Sequence, residues 1–187
     1  MANFISIRNL HLYPLNQDNA EGVKYGEAIK IPGLVKVAIN PSTAEGTYYA
    51  DGIAYESIKK LGEISMTVQT AALDLATTAK ICGHDYDEET GVLKCNANDI
   101  APYFGMKYER VKSDGTSRFI ALNKVMFKLQ NEEGSTATES IEFQDSGDLE
   151  ATALPTIFDN EWKSMVEPNS NNEEAITNFF KQMIAQD

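Results

Sequence analysis

Polar and apolar residues alternate without a break from Glu63 to Gln69. Ile64, Met66 and Val68 fall on one side, and Glu63, Ser65, Thr67 and Gln69 on the other, which is the period of a half-buried strand. Leu34 to Asn40 repeats the pattern more weakly, with Val35, Val37 and Ile39 set against Lys36, Ala38 and Asn40. Pro32-Gly33 before that run and Asn40-Pro41 after it read as stops. Two longer runs, Tyr103 to Lys112 and Arg118 to Gln130, flank Asp114-Gly115, which supplies the positive φ of a hairpin turn. Thr138 to Gln144 and Asp148 to Leu154 predict a second hairpin around Ser146-Gly147. Phe4 to Leu12 and Gly26 to Ile31 bring the set to about eight strands, and short strands between turn signals predict an antiparallel sandwich or barrel.

Two segments change period. Ala71 to Cys82 is rich in helix formers, has Thr70 in position to cap it, and stops at Gly83. Its stripe of Ala72, Leu75, Ala76 and Ala79 is narrow and suits close packing on a sheet. Glu173 to Ala185 is the second predicted helix, with Asn171 and Glu174 spaced as a capping pair. Ile176, Phe179, Phe180, Met183 and Ile184 form its apolar face. Glu167 to Asn172 (EPNSNN) reads as a flexible joint, which predicts one β-rich domain over 1–166 and a linker with an amphipathic helix over 167–187.

The chain has 187 residues, enough to bury a core without staples, and 28 acidic against 16 basic residues give it a net charge of −12. That balance argues against stable binding to nucleic-acid phosphates or an anionic membrane surface. No apolar run is long enough to span a bilayer, and the N-terminus lacks the pattern of a secretory signal. With Cys82 and Cys95 as the only cysteines, the expectation is a protein made and kept reduced in a cytosol.

Candidate chemistry is sparse. Cys82, His84 and Cys95 are potential zinc ligands, but their spacing matches no standard zinc pattern, and a small buried thiol is the plainer reading of Cys82. Asp85, Asp87, Glu88 and Glu89 lack the glycine and distal glutamate of a calcium loop and read as a solvated acidic turn. His11 stands alone, and no nucleophile, phosphate-loop or dinucleotide motif occurs. The stretch NPSTAEGTYYADGIAYES is long and aromatic for a loop, so Tyr48, Tyr49 and Tyr55 are candidate interface residues. Phe179 and Phe180, beyond the joint, are candidates for docking on a neighbouring subunit.

The order of these segments resembles a known family. YGEAIKIPGLVKVAINPS, then TYYADGIAYES, then LGEISMTVQ, a helix, GHDYDEETGVL, the Ser113-Asp114-Gly115 hairpin, TESIEFQDSGDLEATALP and FDNEWKSMV are similar to the major tail (tail tube) protein of long non-contractile-tailed bacteriophages of Gram-positive hosts. The most specific pieces are Lys30-Ile31-Pro32-Gly33 and Tyr49-Ala50-Asp51 followed by Tyr55. The resemblance implies a mainly β, antiparallel sandwich or barrel-like tail tube fold with one flanking α-helix and a C-terminal helix. It implies hexameric rings stacked into a hollow tube in the virion tail, assembled in the host cytoplasm. The implied partners are further copies of the chain, a tape-measure protein, tail terminator and distal tail proteins, and double-stranded DNA in transit only. It implies no catalysis, no cofactor and no membrane.

Charge suggests which face would line such a tube. Each phosphate that meets a Lys or Arg releases counterions and binds, so a basic lumen would hold DNA whereas carboxylates and small polar groups let it slide. The face of Glu63, Ser65, Thr67 and Gln69, with Lys36, Ala38 and Asn40 beside it, is the candidate lumen. Readings from other classes are a soluble carbohydrate-binding or adhesion sandwich, and a metal-dependent hydrolase built on Cys82, His84 and Cys95 with Asp85 and Asp87.

Overall fold

A computed structural model describes residues 2–71, 73–128, 136 and 148–183. The chain is mainly antiparallel β and sandwich-like, with two helices among the described residues. Its elements in order are β1 (Phe4–Asn19), β2 (Gly22–Tyr25), β3 (Ile29–Ile31), β4 (Leu34–Ala50), β5 (Ile53–Thr70), α1 (Leu75–Cys82), β6 (Asp85–Asp87), β7 (Val92–Lys94), β8 (Tyr103–Lys112), β9 (Ser117–Phe127), β10 (Asp148–Leu154), β11 (Lys163–Val166) and α2 (Glu173–Thr177). The main sheet runs β2-β1-β8-β9-β10-β5-β4, with β3 added on β1 and β11 on β9.

The sheet curls, bringing β4 back toward β1, and its inward face closes on one core. Alternation supplies that face: Ile64, Met66 and Val68 from β5, Leu149, Ala151 and Ala153 from β10, and Ile120, Leu122 and Phe127 from β9 are all buried. Helix α1 adds Ile81 and Cys82 to the core. The helix starts later than Ala71: Asp74, not Thr70, is the cap, its carboxylate accepting from the backbone N–H of Thr77. Thr70 instead ends β5 and is buried.

The largest departure from the sequence reading lies between Asn40 and Ser57. These residues are not a loop but the continuation of two strands, β4 and β5 pairing from Leu34↔Thr70 to Ala50↔Ile53. Asp51 and Gly52 both take positive φ (52° and 79°), so this two-residue turn has the mirror-image geometry that suits the twist of hairpin strands. Pro41, read as a stop, sits inside β4 beside a register shift. It is accommodated because, among the described residues, β5 is the one ladder partner of β4, leaving an edge on which a missing N–H costs nothing. A shift between Leu34 and Lys36 likewise turns Val35 outward, while Leu34, Val37 and Ile39 pack on the core.

Other boundaries also move. The first strand runs on to Asn19, and the expected strand Gly26–Ile31 shrinks to Ile29–Ile31, with Gly22–Tyr25 pairing separately. Asp148–Leu154 is a strand as expected, but it is held between β9 and β5. The predicted partner Thr138–Gln144, the Ser146-Gly147 turn, Gln130, Ala72 and Ile184 lie outside the described residues. Glu173–Ala185 was expected to be one helix, but the described helix there stops at Thr177 and is followed by turns; Asn172, not Asn171, stands at its cap.

Gly83 ends α1 in the left-handed conformation (φ 73°), and a Cβ there would lie 2.2 Å from the carbonyl oxygen of Ile100. Gly115 has a similar φ of 82° but open space around it. Gly83→Ala should therefore cost roughly 2–4 kcal/mol and Gly115→Ala only about 1 kcal/mol, since the second carries backbone strain without a clash. Urea unfolding of the two variants checks this, and equal losses would show that the Ile100 contact relaxes freely.

Candidate assembly surfaces

Three surfaces carry the residues singled out by sequence. The first is an arm. Beyond Pro41 and Ile64, β4 and β5 leave the sheet and continue as a two-stranded ribbon, roughly 25 Å long at the usual rise per residue. Both of its faces are exposed: Tyr48, Tyr49 and Tyr55 are 64%, 65% and 77% accessible, and Ile53, Ile58 and Leu61 are also open to solvent. Tyr48 and Tyr55 meet edge to face, with centroids 6.4 Å apart, and a Lys59–Glu45 pair at 2.6 Å braces the ribbon. The three tyrosines thus lie near the tip of a projection, not in a concave cleft of the kind a sugar-binding module needs.

The second surface is the outward face of β4, β5 and β10. Lys36 stands opposite Gln69, Ala38 opposite Thr67 and Asn40 opposite Ser65, and Glu63 continues the same side. The structure therefore brings Lys36, Asn40, Glu63, Ser65, Thr67 and Gln69 together. Strand β10 extends the face with Asp148 opposite Gln69, Glu150 opposite Thr67 and Thr152 opposite Ser65. The two added carboxylates are offset in part by Lys128, 3.1 Å from Glu150, so the face is polar and weakly acidic.

The third surface is covered by the chain itself. Tyr13, Phe119 and Ala121 form a second apolar cluster on the opposite side of the sheet, and the C-terminal segment lies over it. Phe179 is buried there, 5.2 Å from the ring of Phe119, and Phe180 packs against Phe119 and His11. Within the single chain, then, the two phenylalanines pack on their own sheet. Gly105 makes room: a Cβ there would lie 2.8 Å from Met183 and from the ring of Tyr25. The expected flexible joint is tied down as well. Glu167 pairs with Lys112 and Arg118 and accepts, through its carbonyl, from Asn172 Nδ2.

Sequence reading missed the residue that holds this segment. Lys107 is 1% exposed and, among the described residues, has no carboxylate partner. Its Nζ donates to the carbonyls of Phe179 (2.6 Å) and Gln182 (2.8 Å) and lies 4.1 Å from the centroid of the Phe179 ring. Tyr13 donates from its hydroxyl to the carbonyl of Phe180 at 2.8 Å. Burial pushes Lys107 down to about 8 and Tyr13 up to about 12. Burial also lowers His11, and the neighbouring charges of Lys30 and Lys107 add to that. The signal available in the sequence was Lys107 itself, a cation set between Met106 and Tyr108.

The candidate metal ligands do not converge. Cys82 is buried at the end of α1, Cys95 is exposed just after β7, and His84 Nδ1 pairs with Asp99 Oδ2 at 2.7 Å. Asp87 caps its own turn, accepting from the N–H groups of Glu89 and Thr90. Among the described residues no three His, Cys, Asp or Glu side chains are grouped as a metal site would need. No protein-family model matches the chain, and no curated protein matches it.

The sign of the Lys107 effect is fixed by linkage. A released Lys107 holds its proton up to about 10.5, whereas the docked one sheds it from about 8. The unfolded state therefore binds more protons between those values, and stability should rise by roughly 1–3 kcal/mol from pH 8 to pH 10. Above that, release of Tyr13 lets it ionise near its ordinary value of 10 and the trend reverses. Hydrogen exchange of residues 173–183 against pH reads this directly; Lys107→Met should flatten the rise, and a flat wild-type profile would refute the account.

Proposed function

We propose that this chain is a structural subunit that builds a bacteriophage tail tube. Copies close into hexameric rings and the rings stack into a hollow cylinder. The cylinder encloses a tape-measure protein during assembly, is bounded by tail terminator and distal tail proteins, and conducts double-stranded DNA during ejection. In this reading the chain catalyses nothing, takes no cofactor and touches DNA only in transit.

The observation that carries the proposal is the arm. A two-stranded ribbon alone in water is marginal at best, and this one also leaves Tyr48, Tyr49, Ile53, Tyr55, Ile58 and Leu61 exposed. Such an element is completed by a partner surface. A second copy of the same chain is the simplest partner, since heterologous contacts between identical subunits make rings when they close and filaments when they do not. The edge of β4, unpaired among the described residues, is a further liability that ring closure would remove. The resemblance in segment order to tail tube proteins points the same way. The weakly acidic face of Lys36, Asn40, Glu63, Ser65, Thr67 and Gln69 suits a channel from which phosphate must slide.

Negative-stain electron microscopy of the purified chain over a concentration series tests the proposal. Hollow tubes of uniform width are expected, and monomers alone at the highest concentrations would overturn it. Tyr55→Ser should leave the fold intact by circular dichroism yet suppress tubes, because the Tyr55 side chain is exposed on the arm and takes no part in the core. Glu63→Lys should assemble normally but slow DNA ejection from virions carrying it; unchanged ejection kinetics would remove Glu63 from the lumen.

A further inference from the structure

The arginines of this chain are Arg8, Arg110 and Arg118, and two of them are set against each other. Arg110 stands directly opposite Arg118 in the β8–β9 ladder, where like charges repel. Both guanidinium groups lie on the ring of Phe4, at 3.9 Å and 5.0 Å from its centroid, with Lys112 Nζ at 6.0 Å. Glu167 answers two of the three cations, 2.9 Å from Lys112 and 2.7 Å from Arg118. Asp114, in the adjoining turn, is drawn down partly by the charge of Lys112 after its bonds to Thr116. Arg110 has no such answer: among the described residues its guanidinium stacks on Phe4 but forms no hydrogen bond or ion pair. Its edge is left to grip a carboxylate in the two-pronged manner that a planar guanidinium favours. Arg8 is not part of this group, being committed to Glu109 on the other face of the sheet.

The tip of the arm has the complementary chemistry. From Tyr48 to Glu56 it holds three tyrosines and two carboxylates, Asp51 and Glu56, and no cation. Neither carboxylate is ion-paired among the described residues, whereas Glu45, lower on the arm, is held by Lys59.

Register places tip and cradle at the same end of the molecule. Ile64 is level with Ala153, Ala153 with Val125 and Val125 with Phe104. From that row β5 leads back into the arm, β9 leads back to Arg118, and β8 leads forward to Arg110 and Lys112. Subunits lying side by side with their strands aligned therefore bring one tip to the next cradle. We propose that the arm of one subunit seats on the Phe4–Arg110 cradle of a second copy beside it, the carboxylate of Glu56 closing on Arg110 and the tyrosines on Phe4. The contact is heterologous, so repeating it round an axis closes a ring. It rests on the tube reading and names the surfaces that make the ring.

Charge reversal in the full-length chain tests it. Arg110→Glu and Glu56→Arg should each raise the concentration needed for assembly at least about tenfold, and the double variant should restore it. Arg110→Met, which keeps an apolar stem over Phe4, should weaken assembly and reduce its dependence on salt while leaving the monomer folded. Single variants that assemble at the wild-type concentration, or a double variant no better than either single, would overturn the contact while tube formation by the wild type stands. A wild-type chain that never assembles would overturn the tube reading itself.

Discussion

The fold depends on one constraint: β8 and β9 are buried on both faces. On the inner side Phe104, Met106, Ile120 and Leu122 face the curled sheet and α1, and on the outer side Lys107, Phe119 and Ala121 face the C-terminal segment. Strands buried this way need a cover on each side, and the second cover cannot come from the sheet. The chain supplies it by returning from β11 across the joint at Glu167. A lysine lies under that cover, and among the described residues its charge is met by two carbonyls and two aromatic faces. The contact is therefore specific in geometry.

The same sheet end shows how charge is distributed in a chain with so large an acidic excess. Glu109, nearly buried, takes four donors: both prongs of Arg8, the amide of Asn9 and the hydroxyl of Ser117. Asn9 reaches it from a left-handed backbone (φ 59°) at a register shift in β1. These bonds hold Glu109 below the usual carboxylate range although burial alone would raise it. The arginine that this network uses is satisfied; Arg110, in the next row, has no carboxylate among the described residues.

Much of this architecture was legible in the residues. Unbroken alternation marked β5 and β10, Asp114-Gly115 marked the β8–β9 hairpin, and Gly83 marked the end of α1. The arm is not legible there, because Asn40-Pro41 reads as a stop. A proline ends a central strand but not an edge strand, and edge position is a tertiary fact. Asp51-Gly52, flanked by Tyr49-Ala50 and Ile53-Ala54, was the local signal that could have corrected it. The polar face was legible for β4 and β5 because two-residue periodicity fixes which side chains share a side. Its extension by Asp148 and Glu150 was not, since strand order is a non-local outcome. The phenylalanines were recognised as an apolar face, but not what they cover: that required knowing that Gly105 leaves a gap and that Lys107 lies beneath them.

Both strands of the arm continue into the sheet, β4 through the register shift beside Pro41 and β5 directly into its pairing with β10. A pull along the arm is transmitted as shear into the ladder between β5 and β10, whose six paired rows are loaded together. Shear of that kind must break many bonds at once, where peeling a ribbon sideways would open them singly. The arm is thus stiff and strong along its own axis and comparatively weak across it, a mechanical anisotropy written into the molecule by strand continuity alone.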